Sequence, residues 1–142
     1  MNEAIQYTHL VSTLLLVGLI WVIQLVHYPL FARVGTDSFP AYEREHQLRI
    51  TLIIGPLMPL ETAAALGMLF VADAGTPRVL AIVGFALVAA NWLSTWLLQV
   101  PCHKKLSKGF DAAAHRRLVN TNWLRTMAWT LRGGIAVILF SA

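Results

Sequence analysis

Charged residues are scarce in this sequence. Only 13% of its 142 residues are Asp, Glu, Lys or Arg, whereas 57% are hydrophobic, and the mean hydropathy is +0.63. Soluble domains carry roughly 25% charged residues, so the composition excludes an ordinary soluble domain and favours one that lies in a membrane. The net charge of +4 does not indicate nucleic-acid binding, because the basic residues lie between apolar segments, where membrane topology explains them.

Cysteine is nearly absent as well. Cys102 is the only one, which excludes an intramolecular disulfide and a metal site built mainly on thiolates. No Lys or Arg precedes the first apolar segment, and that segment is longer than the core of a signal peptide. We therefore expect it to be retained as a transmembrane helix rather than cleaved.

Four long apolar segments are present, separated by short polar stretches. Each is long enough to cross a hydrocarbon core of roughly 30 Å as a helix. Pro101 is predicted to end the third helix, and Pro56 and Pro59 to kink the second, because proline cannot donate a backbone hydrogen bond. The sequence therefore predicts an all-α fold in which residues 1–142 form a single domain, a bundle of four transmembrane helices. The predicted helices cover residues 5–27, 40–72 (with the membrane part from 50), 79–100 and 118–140.

Lys and Arg are distributed unevenly among the loops. Arg33, Arg44 and Arg49 lie between the first and second segments, and five more Lys or Arg lie between the third and fourth. The loop between the second and third segments holds only Arg78. Under the positive-inside rule, both basic loops are cytoplasmic and both termini lie on the non-cytoplasmic side. We therefore expect a multi-pass protein of the cell (inner) membrane.

Three ionisable residues fall inside the predicted membrane segments: Glu61, Arg125 and Arg132. A charge at mid-bilayer costs at least about 2.5 kcal/mol on the insertion scale, so each needs a partner within the protein. Counting along the helices at roughly 1.5 Å per residue places Glu61 ~18 Å and Arg132 ~21 Å from the cytoplasmic edge. We therefore predict a Glu61–Arg132 ion pair, which either takes part in chemistry or only holds the helices in register.

Polar and aromatic side chains accompany Arg125 along the fourth segment. Asn122 precedes it by three residues and Trp129 follows it by four, so the three face the same side of a helix. The depth of Arg125, about 10 Å from the cytoplasmic edge, predicts contact with Ser94 and Thr95 and a polar pocket open toward the cytoplasm. The alternative is an arginine whose long stem carries its charge to the interface. The residues expected to bind a cofactor or ligand are Trp129, Asn122 and Asn91.

Three histidines, His27, His46 and His103, fall at the cytoplasmic ends of the first three segments. Their imidazoles are predicted to converge at the mouth of the pocket, where three nitrogens can bind zinc, copper or iron. No pair has the i, i+3 or i+4 spacing of a two-ligand helical motif. The alternative, that they are interfacial hydrogen-bonding groups, therefore stays open.

Short motifs resemble a known family. The stretches VPCHKKL and NWLRT resemble the anthrone-oxygenase-like group of small four-helix membrane proteins, and the likeness spans most of the chain. HYPLFARV is similar to that family's first loop. The resemblance implies a four-helix membrane fold and, from characterised relatives, oxidation of polycyclic anthrones to quinones without a metal or flavin. Such chemistry implies an aromatic-lined pocket and a His or Glu base that deprotonates the phenolic substrate before it reacts with oxygen. The residues that match the family's motifs are Val100, Pro101, Asn122, Arg125 and Thr126.

Glu61, Arg132 and the three histidines depart from that family's pattern. They favour a quinone or haem site as an alternative, in which His and Arg meet a polar head group while tryptophans flank its ring. The cofactor therefore stays open: the resemblance requires none, whereas a haem or a metal fits the histidines.

Two functional hypotheses follow. In the first, the protein is a membrane oxidoreductase or oxygenase that acts on a lipophilic aromatic or quinone-like molecule. Arg125 anchors an oxyanion, His46 or His27 moves the proton, and Glu61 and Arg132 complete the catalytic set. In the second, it is a non-enzymatic assembly partner or small-molecule binder whose buried polar residues join the helices. The expected partners are membrane lipid and a lipophilic small molecule, without nucleic acid; a homo-oligomer is left open, and a proton-relay transporter ranks last.

Overall fold

Four long helices joined by short turns make up the structure, a computed structural model that describes residues 3–141. The predicted all-α fold is confirmed. The helices are α1 (Glu3–Arg33), α2 (Phe39–Val71), α3 (Thr76–Leu106) and α4 (Ala112–Ser141).

The first three helices are long and apolar enough to cross a membrane. Apolar side chains lie on the outer surface and charged side chains lie inside, which is the reverse of their distribution in a soluble protein. Leu52 and Phe70 are 71% and 77% exposed on the outer surface, whereas Glu61 and Arg132 are each 1% exposed inside. Hydrocarbon cannot satisfy polar groups, so a protein in lipid places apolar side chains on its outer surface and pairs its polar groups inside. The structure is therefore that of a membrane protein.

Consecutive helices pack side by side in a ring. α1 packs against α2 and α4, α4 also packs against α3, and α2 and α3 contact each other less closely. Short turns make consecutive helices antiparallel. The larger apolar core, which includes Leu16, Phe31, Leu118 and Trp129, fills one end of the bundle. The looser contact between α2 and α3 is where the cavity described below lies.

The predicted ends of α1 and α3 are wrong, because both helices continue through a proline. A π turn (Ile23–His27) precedes Pro29 in α1, and a π turn (Thr95–Gln99) precedes Pro101 in α3. Proline cannot donate to the carbonyl four residues back and clashes with it. A wider π turn with i to i+5 bonds accommodates the ring, so the helix continues. Both helices extend about one and a half turns beyond their predicted ends at residues 27 and 100.

The other two helices depart less from expectation. α2 runs close to its predicted range and is not interrupted by its two internal prolines. α4 begins at Ala112 rather than residue 118, because the Asp111 side chain accepts the Ala114 N–H at 2.7 Å and caps the first turn. The Lys105 ammonium lies 2.8 Å from the same carboxyl. This bond, together with the helix amides, holds the pKa of Asp111 below its usual value.

Candidate functional site

The predicted ion pair between Glu61 and Arg132 is confirmed. Arg132 Nε donates to Glu61 Oε1 at 2.9 Å, and both side chains are 1% exposed. Trp129 Nε1 lies 3.1 Å from each carboxylate oxygen and donates to them. The carboxylate of α2 is therefore held by two donors from α4.

The other nitrogens of Arg132 reach the two remaining helices. Nη1 donates to the Gly84 carbonyl of α3 at 2.6 Å. Nη2 donates to Thr13 Oγ1 of α1 at 3.1 Å and lies 3.4 Å from His9 Nε2. All four helices thus meet at one guanidinium, with its charge and donors satisfied by protein groups. We call this set the deep network; its members are His9, Thr13, Glu61, Gly84, Trp129 and Arg132.

Arg125 is buried without a carboxylate partner in the part of the chain that the structure describes. It is 5% exposed, its Nη1 donates to Asn122 Oδ1 at 3.2 Å, and its Cζ lies 4.9 Å from the centre of the Trp129 ring. Its Nε has no hydrogen-bond partner among residues 3–141. Because a buried charge without a counter-charge is costly, Arg125 can accept an anion or a negatively polarised oxygen. The alternative of an arginine extending to the interface is wrong.

A cavity of about 170 Å³ lies beside Arg125, between α2 and α3. Every helix contributes a polar group to its wall: Tyr28 from α1, Gln47 from α2, His103 from α3 and Arg125 from α4. The exposed side chain of Thr51 forms part of its edge. The polar pocket predicted around Arg125 is therefore present, and it opens between two helices. We call it the Arg125 cavity.

The predicted contacts of Arg125 with α3 are only half right. Thr95 lines the Arg125 cavity, whereas Ser94 lines a second, almost wholly apolar groove of about 550 Å³ between α3 and α4. Asn91, predicted to bind a ligand with Arg125, lies in this second groove, and both atoms of its side-chain amide are unpaired. Asn91 and Ser94 therefore face one surface of α3, and Thr95 faces another.

Tyr28, His103 and Glu43 form a hydrogen-bonded chain at the wall of the cavity. His103 Nδ1 lies 2.5 Å from Glu43 Oε1, and His103 Nε2 lies 3.0 Å from the Tyr28 hydroxyl. An ionised carboxylate can only accept, so His103 donates from Nδ1 and its Nε2 is left as an acceptor for the Tyr28 O–H. Gln47 Nε2 also donates to Glu43 Oε1, at 3.1 Å. Glu43 is fully buried, and within the described part of the chain its Oε2 has no hydrogen-bond partner.

His27 and His46 form a separate pair, in which His27 Nε2 and His46 Nδ1 lie 2.8 Å apart. The His46 and His103 ring centres are 5.4 Å apart, so the three imidazoles lie close together, but only His103 lines the Arg125 cavity at whose mouth all three were predicted. Among the described residues, however, no three His, Cys, Asp or Glu side chains are arranged to hold one metal ion. Both ring nitrogens of His103 are engaged, with Tyr28 and with Glu43, and His27 and His46 each use one nitrogen to bond to the other. The structure does not support the predicted metal site.

Asn122 and Trp129, the other two predicted ligand-binding residues, bond to protein groups. Asn122 accepts from Arg125 and donates to Gln24 Oε1 at 2.9 Å. Trp129 supports the Arg125 charge with its ring face and binds Glu61 through its N–H. Both residues therefore position Arg125 rather than line its cavity.

Two members of the hydrogen-bonded chain beside the cavity are not evident from the sequence. Glu43 falls in a stretch expected to precede the membrane part of α2, and Tyr28 comes directly before Pro29, where α1 was expected to have ended. One signal was available for the first: Glu43, His46 and Gln47 share one helix face at spacings of three and four. The continuation of α1 through its π turn carries no comparable signal.

No family model, curated protein or solved structure matches the chain. The resemblance to anthrone-oxygenase-like proteins therefore stays an expectation drawn from short motifs, and the geometry of the site carries the functional inference.

Proposed function

We propose that the protein is a membrane oxidoreductase that binds the ring of a lipophilic phenol, quinol or quinone in the Arg125 cavity. The observation that carries this proposal is a buried arginine that lines a cavity between two helices and has no carboxylate partner among the described residues. A ligand oxygen that is ionised or polarised supplies the acceptor that Arg125 lacks, through a charge-assisted hydrogen bond. The cation–π contact with Trp129 holds the guanidinium in place for it.

The size of the cavity favours one ring. Its volume of about 170 Å³ is close to that of the roughly 150 Å³ apolar cavity that holds a benzene molecule. A polycyclic anthrone would extend beyond it into the gap between α2 and α3. Ile50 and Ile54 line the same cavity and suit a hydrocarbon tail that leaves toward the lipid. A single-ring compound with an apolar tail therefore fits better than the anthrone that the family resemblance implies.

The proposed reaction begins with removal of the phenolic proton, because an ionised quinol gives up electrons more readily than a neutral one. Dioxygen dissolved in the membrane is the proposed oxidant. Two electrons and two protons pass from the quinol to dioxygen, which gives the quinone and hydrogen peroxide. Arg125 stabilises the phenolate that forms on the way.

The membrane arrangement we propose has four spans, with both termini on the non-cytoplasmic side of the cell (inner) membrane. α4 crosses as well, since Arg125 and Arg132 face the interior while Leu124 and Leu131 are 60% and 62% exposed on its outer face. The basic residues of the α1–α2 and α3–α4 connections then face the cytoplasm.

A specific observation favours the non-enzymatic alternative for the other cluster. The groups of the deep network satisfy one another without a ligand and join all four helices. Glu61 and Arg132 do not line the Arg125 cavity. We therefore assign this pair a structural role in place of the catalytic one expected from the sequence.

The experiment that tests the proposal measures binding of a short-chain quinone to the full chain in detergent, followed by quenching of tryptophan fluorescence. Arg125→Gln is expected to weaken binding roughly tenfold to a hundredfold, since a hydrogen bond to a charged group contributes about 1.5–3 kcal/mol. Arg125→Lys keeps the charge without the planar fork and is expected to fall between. Arg33→Gln, at an exposed arginine, is the matched control.

Absence of saturable binding to the wild type, or equal affinity in Arg125→Gln, would contradict the proposal. Oxygen uptake with the corresponding quinol separates the enzyme from a binding protein. Uptake that depends on Arg125 supports the oxidoreductase, and tight binding without uptake supports the small-molecule binder.

A further inference from the structure

We infer that Tyr28, His103 and Glu43 form a proton relay that takes the phenolic proton of the ligand held at Arg125. The inference rests on the proposed function and names the groups that do its acid–base work. Tyr28 is the catalytic residue, because its hydroxyl lies at the cavity wall, and His103 and Glu43 act through it. They replace His27 and His46, which the sequence favoured as proton carriers.

The direction of the relay follows from its hydrogen bonds. Glu43 fixes the proton of His103 on Nδ1, so Nε2 presents its lone pair to the Tyr28 O–H. The tyrosine oxygen lies next to the Arg125 guanidinium and still has a lone pair that can accept a proton from a ligand in the cavity. Hydrolases use a hydroxyl, an imidazole and a carboxylate bonded in this order. There the imidazole takes the proton of the hydroxyl, and the carboxylate stabilises the imidazolium that forms.

The transfer balances in atoms and charge. The ligand O–H bond breaks and its proton joins the Tyr28 oxygen, while the Tyr28 proton moves to His103 Nε2. The ligand becomes a phenolate next to Arg125, and His103 becomes an imidazolium next to the Glu43 carboxylate. Each new charge therefore forms beside an existing opposite one, which lowers the cost of separating charge in a low-dielectric interior.

The relay also has an outlet. The His103 side chain is 13% exposed, whereas that of Glu43 is fully buried, so His103 is the member that can release the proton. Its neighbour Lys104 is exposed and lines the same cavity. The titratable groups that line the cavity are Tyr28 on α1, His103 and Lys104 on α3, and Arg125 on α4. Glu43 on α2 lies behind His103 and bonds to it. The proton therefore leaves at the end of the bundle that carries the basic loops.

His27 and His46 are poorly placed for the same task. His46 Nδ1 is engaged by His27 Nε2, and this pair lines a different surface groove between α1 and α2. Neither residue lines the Arg125 cavity. His46 contacts the relay through its ring, which packs against the rings of His103 and Tyr28.

The test uses a nitrophenol with an alkyl chain, whose phenolate absorbs at a longer wavelength than the neutral phenol. The probe is bound to the full chain in detergent at a fixed pH, and its absorbance gives the ratio of ionised to neutral bound probe. Tyr28→Phe and Glu43→Gln are expected to lower this ratio about tenfold or more, equivalent to about one pKa unit of the probe, while the probe still binds. Glu43→Asp should restore part of the ionisation. Glu45→Gln, at an exposed carboxylate on the same helix, is the control and should leave the ratio unchanged.

The outcomes separate the relay from the proposed function. Binding with an unchanged ionised fraction in Tyr28→Phe overturns the relay and leaves Arg125 as the anchor. Failure of the wild type to bind the probe overturns both. If Glu43→Gln does not fold, Tyr28→Phe decides alone, because it removes one hydroxyl and keeps the Glu43–His103 pair.

Discussion

Replacing Glu61 by Gln is expected to destabilise the bundle by about 2–4 kcal/mol. Glu61 accepts hydrogen bonds from two donors, Arg132 Nε–H and the single N–H of Trp129, which is shared between the two carboxylate oxygens. Interhelical hydrogen bonds in membranes average about 0.6 kcal/mol each, so the two donors together give a lower bound of about 1.2 kcal/mol. Breaking a buried ion pair costs about 3–5 kcal/mol in soluble proteins, because the remaining charge is left alone. The glutamine amide would also direct a donor toward two donors, so the true value should exceed the lower bound.

Thermal unfolding in detergent measures this effect. With 142 residues and an unfolding entropy of roughly 2.1 cal/mol/K per residue, the expected fall in melting temperature is roughly 7–13 °C. The double variant with Arg132→Gln should lose less than the two single losses combined, since it leaves no unpaired charge. Glu45→Gln is the control: Glu45 and Arg49 are 54% and 76% exposed, and exposed pairs contribute under about 1 kcal/mol. A Glu61→Gln melting temperature within about 2 °C of wild type, or additive losses, would refute the reasoning.

Two further predictions concern topology and packing. The topology test uses a Cys102→Ser background and an impermeant thiol reagent added to the outside of intact cells. The reagent should label Ala74→Cys in the α2–α3 turn and not Thr36→Cys in the α1–α2 turn, because both positions are exposed and the basic loops face inward. The reverse labelling contradicts the proposed orientation. Gly84→Ala should be tolerated, because its Cβ would meet neighbours at 3.5 Å, whereas at Gly133 the Cβ would lie 3.2 Å from a valine methyl group of α1. Both changes gain about 1 kcal/mol of helix propensity, so only the steric contact distinguishes them, and the melting temperature of Gly133→Ala should be lower than that of Gly84→Ala. The opposite order would show that α1 and α4 pack less closely.

The membrane class and the ion pair could be read from the sequence because each depends on one helix at a time. Hydropathy identifies a spanning segment without knowledge of its neighbours. Helical rise converts sequence distance into depth, and two opposite charges at equal depth have few other partners available. This is why Glu61 and Arg132 were paired correctly.

Helix ends and the composition of the cavity wall could not be predicted in the same way. A proline near the end of an apolar segment is compatible with a stop or with a π turn that lets the helix continue, and local sequence does not distinguish them. The consequences are large for Tyr28 and His103, which lie on the extended parts of α1 and α3. Glu43 was overlooked because its burial depends on those extensions.

Hydropathy and helical spacing are enough to show that the chain is helical and lies in a membrane. They also show that its buried arginines require partners, because hydrocarbon cannot solvate a charge. The tertiary structure alone decided which arginine is satisfied and which is not: Arg132 meets a carboxylate, a hydroxyl and a carbonyl from three helices, while Arg125 faces a cavity. That difference depends on how each helix is rotated about its axis when it packs, and rotation is set by contacts among all four helices rather than by any one segment.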